Sequence, residues 1–106
     1  MSLPKLVRDR IPEIIKHNNG KTPITRILNE EEYEQRLLDK LIEEAQEVKG
    51  ANQGEERVEE LADIMEIVKA IAELEGKTLE DIEEIRKSKA DERGGFEKRI
   101  LLESME

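Results

Sequence analysis

Five acidic residues near the middle of the chain occur in two short groups with a regular spacing. Glu43, Glu44 and Glu47 form the pattern Glu-Glu-x-x-Glu, and Glu60 and Asp63 form Glu-x-x-Asp after a gap of twelve residues. A spacing of three residues brings two side chains to the same side of a helix. Carboxylate oxygens are the ligands that hard divalent cations such as Mg²⁺ prefer. If the two groups meet, the spacing predicts a divalent-cation site.

Two long helices must carry these acids, and the hydrophobic periodicity predicts both of them. The first helix spans about residues 30–49, where Asn29 and Glu32 suit the N-terminal cap. The second helix spans about residues 55–75 and ends before Gly76. Each helix has a broad apolar stripe, made of Tyr33, Leu37, Leu38, Leu41, Ile42, Ala45 and Val48 on the first and of Leu61, Ile64, Met65, Ile67, Val68, Ile71 and Leu74 on the second.

The acids intrude on these apolar stripes. At about 100° per residue, Glu44 and Glu60 fall inside the stripes, and Glu47 and Asp63 lie at their edges. Burying an unpaired carboxylate costs several kcal/mol, and converging carboxylates repel each other unless a cation neutralises them. We therefore predict that these four residues bind Mg²⁺, with Mn²⁺ as the alternative ion. The other interpretation is that they are solvent-facing or interface acids of a Glu-rich chain.

The composition predicts one all-α domain, residues 1–106, built as a compact helical bundle on the antiparallel pair of long helices. Of the 106 residues 42% are charged, and only 2% are aromatic, so the core must be aliphatic. Pro12 suits the first turn of a short helix over about 11–17, and Thr78 the start of a helix over 79–93. The segment 22–28 is predicted as a brief strand or an extended link. The apolar segment 96–102 is expected to pack.

Several functional classes are excluded by the composition. The chain has no cysteine, which excludes disulfides, thiolate metal sites and a cysteine nucleophile. The only histidine, His17, lies outside both long helices, so the Glu-x-x-His pairs of a di-iron bundle are absent from the sequence. No apolar run is long enough for a membrane span or signal peptide, and the net charge is −9. We expect a cytoplasmic protein with no membrane or nucleic-acid partner.

The acidic pattern resembles the signature of the MazG-type superfamily of all-α NTP pyrophosphohydrolases, which includes phosphoribosyl-ATP pyrophosphohydrolase and dUTPase-like and dCTPase-like members. Two further segments resemble one branch, the predicted house-cleaning non-canonical NTP pyrophosphatases. They are Lys-Leu-Val-Arg-Asp-Arg-Ile-Pro at 5–12 and Glu-Arg-Gly-Gly-Phe at 92–96. The resemblance extends over nearly the whole chain.

The resemblance implies a fold, a reaction and an assembly. The implied fold is a four-helix-type core completed by dimerisation, as a homodimer or a dimer of dimers. The implied reaction is Mg²⁺-dependent cleavage of a nucleoside triphosphate between the α- and β-phosphates. Glu44, Glu47, Glu60 and Asp63 match the metal ligands, and Glu43 matches an added ligand or a base for the attacking water. Either Glu43 or Glu47 could position or deprotonate the attacking water, and these two are therefore the candidate catalytic residues.

The outgoing pyrophosphate requires positive charge. The candidate phosphate-binding residues lie near the two ends of the chain and are Lys5, Arg8, Arg10, Lys87, Lys89 and Arg93. Tyr33 or Phe96 could stack on a nucleobase, although a single aromatic residue is more often part of a core. Two other functions stay open at this point. One is a non-catalytic helical module for dimerisation, and the other is a module that binds nucleotides without hydrolysing them.

Overall fold

Between residues 3 and 106 the chain folds into four helices that are joined by two turns and one longer link. A computed structural model describes residues 3–106, and the first two residues of the predicted domain lie outside the described part. The helices are α1 (Ile11–Asn19), α2 (Glu30–Gly50), α3 (Glu55–Leu74) and α4 (Leu79–Arg93). No strand occurs between residues 3 and 106, which confirms the all-α prediction. Of the two alternatives predicted for residues 22–28, the structure has the extended link.

The starts of α2 and α4 are determined by local capping. The side chain of Asn29 accepts a hydrogen bond from the backbone N–H of Glu32 at 2.9 Å. At α4, the hydroxyl of Thr78 accepts from the backbone N–H of Asp81 at 3.1 Å, and the Asp81 carboxylate accepts from the Thr78 N–H at 2.9 Å. These contacts satisfy backbone donors that the first turn of a helix leaves free. Both predicted helix starts are confirmed.

The centre of the bundle is the pair α2 and α3, which pack against each other in opposite directions. The turn between them ends at Gly54, whose φ of 97° is a conformation that side-chain-bearing residues rarely adopt. Leu37 of α2 and Ile67 of α3 are buried in this contact. Helix α4 packs against α3, where Ala72 is buried.

One side of the α2–α3 pair is covered by the N-terminal arm, which we define as residues 3–10. Leu6 and Val7 in this arm are half-buried, and both lie against a cavity that Tyr33 and Leu37 of α2 also line. The arm contains no helix or strand. Its apolar side chains therefore hold it on the helix pair.

The opposite side of the α2–α3 pair is open. We define this open face by its exposed apolar residues, which are Leu38 and Ile42 of α2 and Val58, Leu61 and Met65 of α3. On each helix the exposed apolar residues lie to one side of the buried position, which is Leu37 on α2 and Ile67 on α3. Because the two helices are antiparallel, these exposed residues of α2 and of α3 lie on the same side of the pair. The predicted apolar stripes are therefore wider than the surface that one chain buries.

The expectation that the segment 96–102 packs is wrong for a single chain. Phe96 is 96% exposed, Ile100 is 81% exposed and Leu102 is 75% exposed. Helix α4 ends at Arg93, and every residue from Gly94 to Glu106 is exposed. The segment is apolar enough to pack, but in a single chain it does not lie against the helices.

Candidate metal centre

Three carboxylates meet between α2 and α3. Glu44, Glu47 and Glu60 each offer one oxygen atom, and these atoms lie within 4.8 Å of one another. Glu44 is buried, with 8% of the residue exposed, while Glu60 is half-buried and Glu47 is exposed. The structure thus brings together three of the four residues that the sequence analysis assigned to the cation. The group is open to solvent on the Glu47 side.

The buried end of this group lacks partners. The Oε2 atoms of Glu44 and Glu60 are shielded from solvent, and neither has a hydrogen-bond partner within residues 3–106. Burial raises the pKa of Glu60 to about 7, and its interactions with the carboxylates of Glu44 and Glu47 add to the rise. Burial also raises the pKa of Glu44, although the Glu60 side chain and the Lys40 ammonium, 3.8 Å away, oppose that rise. Without a cation, the group therefore holds protons that an ordinary carboxylate releases.

These observations fit a bound divalent cation. Two buried carboxylate oxygens without partners are costly in free energy, and a cation would supply the missing interaction. The donor set contains oxygen atoms only, which suits a hard ion such as Mg²⁺ or Mn²⁺. The three carboxylates form a group that could hold a metal ion.

Asp63, the fourth predicted ligand, lies outside the three-carboxylate group. Its Oδ1 accepts a hydrogen bond at 2.7 Å from the Arg8 guanidinium, which comes from the N-terminal arm. Arg8, predicted to bind phosphate, thus neutralises Asp63. Glu43 is exposed and is also outside the group, because adjacent residues on a helix point about 100° apart.

A cavity of about 530 Å³ lies between the N-terminal arm and the α2–α3 pair. Four basic residues line it, which are Lys5, Arg8, Lys40 and Lys69, together with five acidic residues, which are Asp9, Glu44, Asp63, Glu66 and Glu73. Lys5 and Arg8 were predicted as phosphate ligands, but Lys40 and Lys69 were not. Lys40 precedes Glu44 by four residues, which is about one helical turn. This spacing in the sequence indicates that Lys40 lies on the same side of α2 as Glu44. Three of the bases are ion-paired with acids of the same cavity, Arg8 with Asp63, Lys40 with Glu44 and Lys69 with Glu73.

The other four predicted phosphate ligands lie away from this cavity. Arg10 donates to Glu13 at 2.7 Å and borders a separate pocket beside His17. The remaining three are exposed on α4, and they are Lys87, Lys89 and Arg93. Among the two aromatic residues, Tyr33 lines the cavity and Phe96 does not.

Comparison with known proteins gives no functional assignment. No family model matches the chain, and no solved structure matches it. Over 50 residues the chain is 46% identical to an uncharacterized protein of Mycolicibacterium smegmatis. This match covers 47% of the chain and 50% of the relative, so the chain spans about half the length of the curated relative. In the described part of the chain, no helix has the length and apolar character needed to cross a membrane.

Proposed function

We propose that this protein is a Mg²⁺-dependent nucleoside triphosphate pyrophosphohydrolase of the MazG-type superfamily. It converts a nucleoside triphosphate, including a non-canonical one, and water into the monophosphate and pyrophosphate. The observation that carries this proposal is the convergence of Glu44, Glu47 and Glu60, with two partnerless buried oxygens, beside a cavity with four basic residues. The adjoining bases are the donors available to phosphates, and Arg8, Lys40 and Lys69 would exchange their present partners Asp63, Glu44 and Glu73 for phosphate oxygens.

The residues that would hold the cation are Glu44, Glu47 and Glu60, with Asp63 joining them when Arg8 moves to the substrate. When bound, a divalent cation supplies positive charge to the phosphate oxygens and makes a nearby water more acidic. Releasing Arg8 costs little, because more than two fifths of each side chain in the Arg8–Asp63 pair is exposed.

The basic wall of the cavity would bind the phosphates. Lys5, Arg8, Lys40 and Lys69 donate to phosphate oxygens and offset the charge that develops on the leaving pyrophosphate. The water oxygen attacks the α-phosphorus as the bond from that phosphorus to the bridging oxygen breaks, and the electron pair leaves with pyrophosphate. Glu47, the exposed member of the cluster, accepts the proton of the water. Glu43, one helical turn away, is the second candidate for this role.

We extend the proposal to the assembly, which is a homodimer or a dimer of dimers. The open face of α2 and α3 supports this, because its apolar side chains lie on one side of the helix pair and are between 40% and 63% exposed. Contiguous exposed apolar residues on one side of a domain are typical of a protein interface.

The reaction is tested by measuring pyrophosphate release from a panel of canonical and damaged nucleoside triphosphates with Mg²⁺. We expect release from at least one substrate. We expect Glu47→Gln to lower kcat by about 100-fold or more, the usual contribution of a general base. Glu59→Gln makes the same charge change at an exposed position of α3 and serves as the control.

Three outcomes separate the candidate functions. Pyrophosphate release that depends on Mg²⁺ and on Glu47 supports the enzyme. Nucleotide binding without pyrophosphate release supports the non-catalytic binding module instead. Absence of turnover together with absence of Mg²⁺ binding in calorimetry refutes the proposal and favours the dimerisation module.

A further inference from the structure

The C-terminal segment, which we define as residues 96–106, is rich in large apolar side chains that are exposed in a single chain. Its large apolar side chains are between 75% and 96% exposed, and they are Phe96, Ile100, Leu101, Leu102 and Met105. Five such residues within eleven positions exceed the scattered apolar exposure that is normal for a monomer. A segment of this kind is expected to be covered by something.

The exposed surface of the whole chain indicates how much must be covered. The chain exposes 9839 Å², whereas a folded monomer of 12.3 kDa is expected to expose about 6,100 Å². An obligate dimer buries about 2,000–5,000 Å² in total, which is about 1,000–2,500 Å² on each chain. The excess of about 3,700 Å² that each chain exposes is larger than this. A second copy therefore has enough surface to bury both the C-terminal segment and the open face.

The C-terminal segment is long enough to span the open face. It begins with a turn, in which the backbone N–H of Arg99 donates to the carbonyl of Phe96 at 3.0 Å, and residues 100–106 reach about 23 Å in extended form at about 3.3 Å per residue. On α3 the open face extends from Val58 to Met65, which is about 11 Å at about 1.5 Å per residue.

We propose that two copies exchange their C-terminal segments, so that residues 96–106 of each chain lie along the open face of the other. The exchange buries Phe96 and the apolar run 100–102 against Leu38, Ile42, Leu61 and Met65 of the second copy. The inference rests on the proposed dimer but not on the proposed reaction. It differs from direct pairing of two open faces, in which the segments would contribute nothing.

Cysteine crosslinking tests which chain covers the open face, and the chain is suited to it because it has no cysteine of its own. Two differently tagged copies are co-expressed, one with Leu101→Cys and the other with Met65→Cys, and are then oxidised. We expect a covalent dimer that contains both tags. The control pair uses Ile24→Cys, a fully exposed position in the α1–α2 link, and should give no such dimer. A double variant in one chain that forms only an internal disulfide overturns the exchange.

Light scattering at micromolar concentration tests the contribution of the segment to assembly. A chain that ends at Gly95 should change from the mass of two chains to that of one, with unchanged helix content in circular dichroism. Full-length protein with Ile100→Asp and Leu101→Asp should behave in the same way. A truncated chain that remains a dimer overturns the exchange and leaves the proposed dimer intact. A wild-type protein with the mass of one chain overturns both the exchange and the dimer. The proposed reaction is tested independently by the pyrophosphate assay.

Discussion

Replacing Glu44 with glutamine removes one negative charge from the three-carboxylate group while keeping the shape of the side chain. The oxygen atoms of the group lie within 4.8 Å of one another. Two unit charges at that distance repel by about 3.5 kcal/mol at an effective dielectric constant of about 20 and by about 1 kcal/mol in water. The attraction of Lys40, 3.8 Å from Glu44, offsets part of this repulsion. We therefore expect Glu44→Gln to raise the free energy of unfolding of the metal-free protein by about 1–2 kcal/mol above neutral pH.

The same substitution should remove the response to Mg²⁺. A ligand present at 100 times its Kd raises the free energy of unfolding by about 2.7 kcal/mol, which corresponds to about 10 °C in Tm for a domain of this size. We expect this rise in Tm for the wild type and its near absence in Glu44→Gln.

Thermal unfolding followed by circular dichroism, in EDTA and in Mg²⁺, measures both effects. Glu59→Gln is the matched control, because it removes one charge from an exposed position of α3. The reasoning is refuted if Glu44→Gln is less stable than the wild type in EDTA, or if Mg²⁺ stabilises the two proteins equally.

Three further predictions concern pH, the N-terminal arm and the helix cap. The pKa of Glu60 rises from 4.5 to about 7 on folding, so protonation of Glu60 stabilises the metal-free protein at low pH. The Tm of the metal-free protein should therefore fall as the pH rises from 4.5 to about 7. Glu60→Gln should lessen that fall. Arg8→Gln frees Asp63 and should tighten Mg²⁺ binding up to about fivefold in calorimetry, while Arg10→Gln, the control, should leave it unchanged. Thr78→Ala removes a capping contact and should lower the free energy of unfolding by about 1 kcal/mol in urea titration, and an unchanged midpoint would contradict the role of the cap.

The helices and the acidic cluster were accessible from the sequence because both depend on local geometry. Asn29, Thr78 and the glycines define helix ends within a few residues, so the boundaries required no tertiary information. Likewise, a glutamate inside an apolar stripe, such as Glu44 or Glu60, must face the neighbouring helix. The position of these acids between α2 and α3 follows from that periodicity alone.

The basic wall of the cavity was only partly accessible, because it depends on how the ends of the chain return to the helix pair. Arg8 reaches Asp63 across 55 positions of sequence, and no local pattern encodes that contact. Basic residues on α4, such as Lys89, look equally suited to phosphate in the sequence, but they do not line the cavity. The packing of the C-terminal segment could not be predicted for a related reason. Hydrophobicity predicts that apolar side chains will be buried, but it does not indicate which surface buries them.

The N-terminal arm places half of the basic residues of the cavity outside the helices. Lys5 and Arg8 supply half of the positive charges that line the cavity, yet they belong to a stretch without helix or strand. A shortened chain that begins at Ile11 would keep all four helices and the three clustered carboxylates. It would lose both of those cations and leave Asp63 without its guanidinium partner. Under the proposed function, sequence changes in the N-terminal arm would therefore alter which anionic compounds bind without changing the helices.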